Sequence, residues 1–215
     1  MLQVNTAGIN GTNYYSKLKR EFLPVIKEGP NVVLDLGCGT GRMGQALLEM
    51  NKASEIIGVE LNREPAEEAE KSYDVVYKNN IEHLSLPYVN YFDYVLCGDI
   101  LEHLVDPWLM LARINVMLKK NGELICSIPN IRYWKIIRDL VMKGRWKYAD
   151  AGILDSTHLR FFTKSSFIEM LHNANYKVTW LHMSIHGTKR IANNITFNML
   201  SEFLATQIMI SARKN

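Results

Sequence analysis

The stretch Val32–Gly44, VVLDLGCGTGRMG, constrains the fold more than any other part of the chain. Val32, Val33 and Leu34 read as a buried strand that Asp35 and Leu36 close. Gly37, Gly39 and Gly41 then alternate through a turn, and Met43, Ala46, Leu47 and Met50 recur at helical spacing. Strand, glycine loop and helix in that order open an α/β nucleotide site. Glycine is needed there because a ligand can touch the backbone only where no Cβ intervenes. The amides at the start of the following helix are free to face the same ligand.

Two ligand classes compete for such a loop. Gly39-Thr40-Gly41-Arg42-Met43-Gly44 fits the G-x-G-x-x-G dinucleotide pattern, which alone is weak and would indicate an NAD(P)-dependent oxidoreductase. Asp35-Leu36-Gly37-Cys38-Gly39-Thr40-Gly41 resembles the first motif of the class I S-adenosylmethionine-dependent methyltransferases. The acid before the first glycine separates the two. A carboxylate there suits a glycine loop or a cationic ammonium, whereas it would repel a pyrophosphate. The oxidoreductase also lacks a partner motif: the only Tyr-x-x-x-Lys is Tyr15…Lys19, upstream of the loop. A third possibility is a non-enzymatic cofactor-binding or scaffold protein.

At 215 residues and 47% hydrophobic the chain can bury a full core, and a single domain spanning 1–215 is expected. Its 25 basic and 22 acidic residues leave a net charge of +3, too balanced for a dedicated nucleic-acid binder. The opening residues MLQVNTAGINGTN contain no apolar run that would make a signal peptide, and no later stretch is long enough to span a bilayer. Cys38, Cys97 and Cys126 fall in or beside apolar strands without metal spacing, as expected of reduced thiols in a cytoplasmic protein.

Along the chain, Asn13–Phe22 reads as a short helix in which Tyr14 and Tyr15 are either lid residues or ordinary packing. Ile56–Glu60 is a second strand, and its terminal acid stands about two dozen residues beyond Asp35, where this fold holds a ribose. Asp74–Tyr77 and Tyr94–Cys97 are the third and fourth strands. Asp106-Pro107 caps a helix over Trp108–Leu118, which Lys119–Gly122 stops before a fifth strand at Glu123–Ile128. A segment at about 131–162 then interrupts the alternation, with a helix whose apolar face is Trp134, Ile137, Leu140 and Val141. Six Lys/Arg and one acid, Asp139, lie between Arg132 and Lys147, a pattern that suits an anionic substrate, a membrane surface, a partner or mere solvation. A further helix is capped by Thr163 or Ser166, with Ser166…Glu169 fitting a capping box. Tyr176–Met183 and Gln207–Ala212 read as two closing strands with a helix between them.

The resemblance implies a doubly wound, mostly parallel seven-stranded sheet with an antiparallel final hairpin. It implies S-adenosylmethionine as cofactor, surrounded by Asp35, Gly37, Cys38, Gly39, Gly41, Glu60, Leu61, Asn80, Ile81, Gly98 and Tyr15. Asn80 stands where the family often has an acid for the adenine amino group, and Ile81 would wall the ring.

The acceptor side is the harder chemistry. An alcohol needs a base or a metal to become a good nucleophile near neutral pH. If Gly98–Leu104 turns helically, Asp99, Glu102 and His103 share one face at i, i+3 and i+4. That group, with the later His158, resembles metal-dependent relatives among the small-RNA 2′-O-methyltransferases and the ubiquinone-pathway O-methyltransferases. The resemblance implies a divalent ion held by Asp99, Glu102, His103 and His158. Two readings without metal remain: His103 as general base oriented by Glu102, or carboxylates that only solvate a loop. Ile128-Pro129-Asn130 and Asp155–Thr163 also resemble bacterial methyltransferases associated with surface-polysaccharide synthesis, which implies O-methylation of a sugar or other small hydroxyl-bearing acceptor.

Overall fold

The structure is a computed structural model; it describes residue 15 and residues 18–215, with backbone alone for residue 192. Seven strands form one sheet in the order β3-β2-β1-β4-β5-β7-β6. They are β1 Val32–Leu36, β2 Glu55–Glu60, β3 Val75–Lys78, β4 Phe92–Gly98, β5 Leu118–Pro129, β6 Tyr176–Ser184 and β7 Gln207–Lys214. The first five run parallel, while β7 pairs antiparallel with both β5 and β6. The expected doubly wound sheet with an antiparallel closing hairpin is therefore what the chain forms.

Strand alternation splits the core in two. Leu34, Leu36, Val95, Cys97, Leu124 and Cys126 point to one face, where they meet Leu111 and Ile114 of α3 (Pro107–Met117) and Phe167 and Leu171 of α5 (Lys164–Asn173). Val33, Ile56, Leu96 and Ile125 point to the other, where they meet Met43 and Leu47 of α1 (Arg42–Glu49) and Ala69 of α2 (Arg63–Ala69). A strand buried on both faces must be apolar at consecutive positions, which is why β1, β4 and β5 read as continuous hydrophobic runs.

Local chemistry explains the element ends. Asp106 Oδ1 accepts from the Leu109 amide at 2.9 Å and Pro107 fills the first position of α3. Gly144 ends α4 (Trp134–Lys143) in the left-handed conformation at φ 58°. The capping box of α5 joins Thr163 to Ser166, not Ser166 to Glu169: Thr163 Oγ1 accepts from the Ser166 amide at 3.2 Å and Ser166 Oγ from the Thr163 amide at 3.0 Å. Lys119–Gly122 does not end α3 as a loop but joins β5, because Leu118 already pairs with Phe92 and a register shift absorbs the turn. Two short helices, α6 (Lys189–Ile195) and α7 (Ser201–Leu204), replace the single helix expected between β6 and β7. Of the expected Asn13–Phe22 helix, Tyr14 lies outside the described residues, and a 3-10 turn at Arg20–Phe22 stands near its end.

The order 3-2-1-4-5 reverses direction between β1 and β4. A crevice outside the carboxyl ends of the strands opens at such a reversal. Gly37, Glu60, Asn80 and Gly98 follow or end the four strands that border it.

Candidate active site

The glycine loop leaves β1 with Gly37, Gly39 and Gly41 at φ 71°, 54° and 79°. At Gly39 no other residue fits: a Cβ would stand 2.3 Å from the Tyr15 carbonyl oxygen. That carbonyl accepts from the Thr40 amide at 3.0 Å and from Thr40 Oγ1 at 3.2 Å, so Tyr15 is fastened to the loop by its backbone. Gly44 admits the Tyr73 ring, which a Cβ would approach to 2.1 Å.

Tyr73 is a residue that sequence reading missed. Its hydroxyl donates to Asp35 Oδ2 at 2.6 Å and accepts from the Gly44 amide at 3.0 Å. It thus ties the acid of β1 to the first turn of α1. Burial pushes the Asp35 carboxyl up to about 7, against the Tyr73 hydrogen bond, and the nearby Glu60 pushes in the same direction as burial. Only the distance of 38 positions in sequence hid this pairing.

Glu60 is buried at the end of β2 and holds the loop from the other side. Its Oε2 accepts from the Gly39 amide at 3.0 Å and its Oε1 from the Asn62 amide at 2.8 Å. Leu61 beside it is exposed, and Cys38 is buried with its thiol pushed far up by burial. Asn80 Oδ1 caps the turn after β3 by accepting from the Glu82 amide at 2.9 Å, and Ile81 packs half-buried against the core. Gly98 faces Lys19 and Phe22. The residues expected around the cofactor therefore line one edge of the sheet.

The expected Asp99–Glu102–His103 face does not form. Asp99 takes φ 57°, and only Leu101–His103 turns, as a 3-10 helix. Asp99 is engaged with other partners and is not one of the group that meets at Glu102. Its carboxylate accepts from Ser127 Oγ at 2.7 Å and from Gln207 Nε2, and it pairs with Lys19.

Glu102, His103 and His158 do meet, with one ligand atom of each within 4.8 Å of the others. The backbone brings them together, since the Glu102 carbonyl accepts from the Leu159 amide at 2.8 Å and the Arg160 amide at 3.0 Å. The imidazoles sit edge to face with centroids 4.7 Å apart. His103 Nδ1 lies 3.2 Å from the Thr157 carbonyl and His158 Nδ1 3.0 Å from the Ile153 carbonyl. A carbonyl only accepts, so both rings carry a proton on Nδ1, and a neutral ring so held has its lone pair on Nε2. Thr157 is held in turn by Asp155, whose Oδ1 accepts from the Thr157 amide at 2.8 Å and hydroxyl at 2.7 Å.

Glu102 is the most unusual group of the three. It is 1% exposed, and neither carboxylate oxygen has a hydrogen-bond partner among the described residues. Burial first, and Asp99 second, hold its carboxyl well above the usual range. Burial and the facing His158 hold His103 below the ordinary imidazole value, which keeps its lone pair available. Arg160 donates to the Val105 carbonyl and lies over the Trp108 ring.

The chain matches the methyltransferase domain family over residues 10–181. It belongs to that family. A ubiquinone biosynthesis O-methyltransferase from Vibrio atlanticus is 25% identical over 179 residues, 78% of this chain and 74% of that one. Among solved structures, an S-adenosylmethionine-dependent methyltransferase from Archaeoglobus fulgidus superposes with a TM-score of 0.65 at 22% identity, covering 91% of this chain and 90% of its own. Another from Mesorhizobium loti gives 0.64 at 17% identity, covering 90% and 96%. The protein is a methyltransferase, and the dinucleotide reading of its glycine loop is set aside. No helix among the described residues is long and apolar enough to cross a membrane.

Proposed function

We propose that this methyltransferase methylates a hydroxyl oxygen of a small acceptor, such as a sugar, beside Glu102, His103 and His158, and that these three side chains hold a divalent cation. The observation that carries the proposal is the buried Glu102 carboxylate, which has no hydrogen-bond partner at either oxygen among the described residues and lies within 4.8 Å of a ligand nitrogen of two imidazoles. A buried carboxylate without partners is costly, and a cation is what such a donor set satisfies. The similarity to the O-methyltransferase from Vibrio atlanticus supports oxygen as the nucleophile.

In the reaction the acceptor hydroxyl gives up its proton to solvent, and its oxygen attacks the sulfonium methyl carbon. The carbon–sulfur bond breaks, and its electron pair returns to sulfur as a neutral thioether. Positioning is the main task, and the chain supplies it from two sides. Asp35, Glu60 and the Cβ-free backbone of Gly37–Gly41, whose amides bond within the chain, shape the seat of the cofactor, with Asn80 and Ile81 at the adenine and Gly98 beside them. On the acceptor side the Thr157 and Ile153 carbonyls fix both rings, and one nitrogen of each lies within 4.8 Å of a Glu102 carboxylate oxygen. A divalent cation there would supply a lower pKa for a bound hydroxyl. Asp99, tied to Lys19 and Ser127, steadies the end of β4 and is not one of the ligands in this proposal.

The depressed His103 favours a second reading, in which its Nε2 takes the acceptor proton directly and no metal is needed. Glu102 does not orient that ring; Thr157 does. One experiment separates the two readings. The protein is stripped with chelator, metal content is measured, and methyl transfer from labelled cofactor to a panel of sugars and ring hydroxyls is followed with and without added Mg²⁺, Mn²⁺ or Zn²⁺. Restoration by metal, lost in Glu102→Gln, supports the cation. Full activity in chelator refutes it and leaves the base, and transfer to amines alone refutes both.

A further inference from the structure

The segment between β5 and α5 carries a surface that the methyl-transfer reading does not use. The apolar face of α4 is covered only in part: Trp134 and Ile137 are half-buried, while Leu140 and Val141 are exposed. Val141 is 73% and Met142 76% exposed, and Leu140, Trp146 and Tyr148 are also exposed. The same segment carries Lys135, Arg138, Lys143, Arg145 and Lys147, with Asp139 already paired to Arg138 and Lys143. Arg138 and Lys135 lie over the Trp134 ring at 5.1 and 5.9 Å.

A second uncovered apolar stretch joins it. Phe197 and Met199, 89% and 82% exposed, follow α6, whose Ile191 and Ile195 are also exposed. Contacts at the start of α4 hold the two together: Lys189 donates to the Tyr133 hydroxyl, and Arg132 pairs with Glu202 and lies 4.5 Å over the Phe203 ring. From this surface a run of rings leads inward. Trp146 and Tyr148 lie 5.3 and 6.3 Å from Phe161, which lies 6.4 Å from His158.

We infer that this basic, apolar face docks on an anionic membrane surface and that the acceptor is an amphiphile whose apolar tail lies along the aromatic run to His158. Charge complementarity selects the occupant. Exposed bases surrounding bare Val, Met and Phe side chains suit lipid headgroups with acyl chains beneath. A second copy would bring like charge against like, and a nucleic acid would leave the apolar side chains without partners. The substrate class rests on the proposed O-methyl transfer; the docking does not.

The test is co-sedimentation of the full chain with vesicles of phosphatidylcholine alone or mixed with phosphatidylglycerol. Binding about tenfold stronger to the mixed vesicles, falling as salt rises, is expected. Lys143→Glu with Lys147→Glu should abolish it. Val141→Ser with Met142→Ser should weaken it even at low salt, which charge attraction alone would not predict. All four positions are exposed, so unchanged melting temperatures serve as the folding control. Equal binding to neutral vesicles, no binding, or wild-type binding by either double variant overturns the inference. A dimer in solution that Val141→Ser with Met142→Ser dissociates would assign the face to a second copy and overturn it as well. No acceptor enters the assay, so docking and methyl transfer can fail separately. If docking holds, an acceptor presented in mixed vesicles should turn over faster than the same headgroup free in solution, and equal rates would refute the amphiphile.

Discussion

Replacing Asp35 with asparagine should stabilise this protein at alkaline pH while weakening its hold on the cofactor. Asp35 is buried, and its carboxyl is raised from the ordinary 3.8 to about 7. The sign follows from that direction. Below 3.8 the group is protonated whether the chain is folded or not, and it contributes nothing. Between 3.8 and 7 only the unfolded chain ionises it, so the fold weakens as pH rises; above 7 the penalty is complete. At about 1.4 kcal/mol for each pH interval of one, the full penalty is roughly 4 kcal/mol. The carboxamide of Asp35→Asn keeps the shape and an oxygen for the Tyr73 hydroxyl, and never ionises. For a chain of this size that figure is about 8–16 °C in melting temperature. Melting curves of both proteins from pH 4 to pH 9 should therefore coincide at the acid end and separate as pH rises. Added cofactor should raise the melting temperature of the wild type at pH 8 more than that of Asp35→Asn, because its ammonium supplies the charge that the buried carboxylate lacks. A variant that melts at or below the wild type at pH 8, with a parallel pH curve, would refute the reasoning.

Other perturbations probe the remaining contacts. Tyr73→Phe removes the hydroxyl from both Asp35 and the Gly44 amide, so a loss of about 1–3 kcal/mol is expected in urea unfolding. Glu102→Gln should cut turnover by at least ~100-fold while melting no lower than the wild type at pH 8, since it removes a buried group whose ionisation the fold disfavours. Thr157→Val takes one partner from His103 Nδ1, and kcat should fall about 10-fold with cofactor affinity unchanged in calorimetry. Gly39→Ala forces a Cβ against the Tyr15 carbonyl at a left-handed φ, and should destabilise by about 1–3 kcal/mol and weaken cofactor binding by equilibrium dialysis.

The sheet was legible in the sequence because each central strand is buried on both faces and must be apolar throughout. Leu34 and Leu36 serve one core and Val33 the other, yet all three read as one run. The glycine loop was legible for a related reason: positive φ and close backbone approach leave few alternatives to glycine. These are local demands, and they show in local composition. The capping of α3 by Asp106-Pro107 is of the same kind, whereas the true box of α5 was missed because Ser166 can serve as either member of such a pair.

The acceptor side divides differently. Glu102 and His103 were candidates by residue type and spacing, and His158 by family resemblance, but which of the candidates meet was not legible. A single left-handed residue, Asp99, removes itself from the group and joins Lys19, Ser127 and Gln207, which come from three separate parts of the chain. The carbonyls that set both imidazole tautomers lie on a loop that packs beside His103 only once the 158–160 backbone hydrogen-bonds to Glu102. Residue order thus determined the strands, the loop and the chemical inventory. Tertiary packing alone decided which polar atoms are partnered and which, like the Glu102 oxygens, are left bare, because desolvation and long-range hydrogen bonds exist only after the chain has closed on itself.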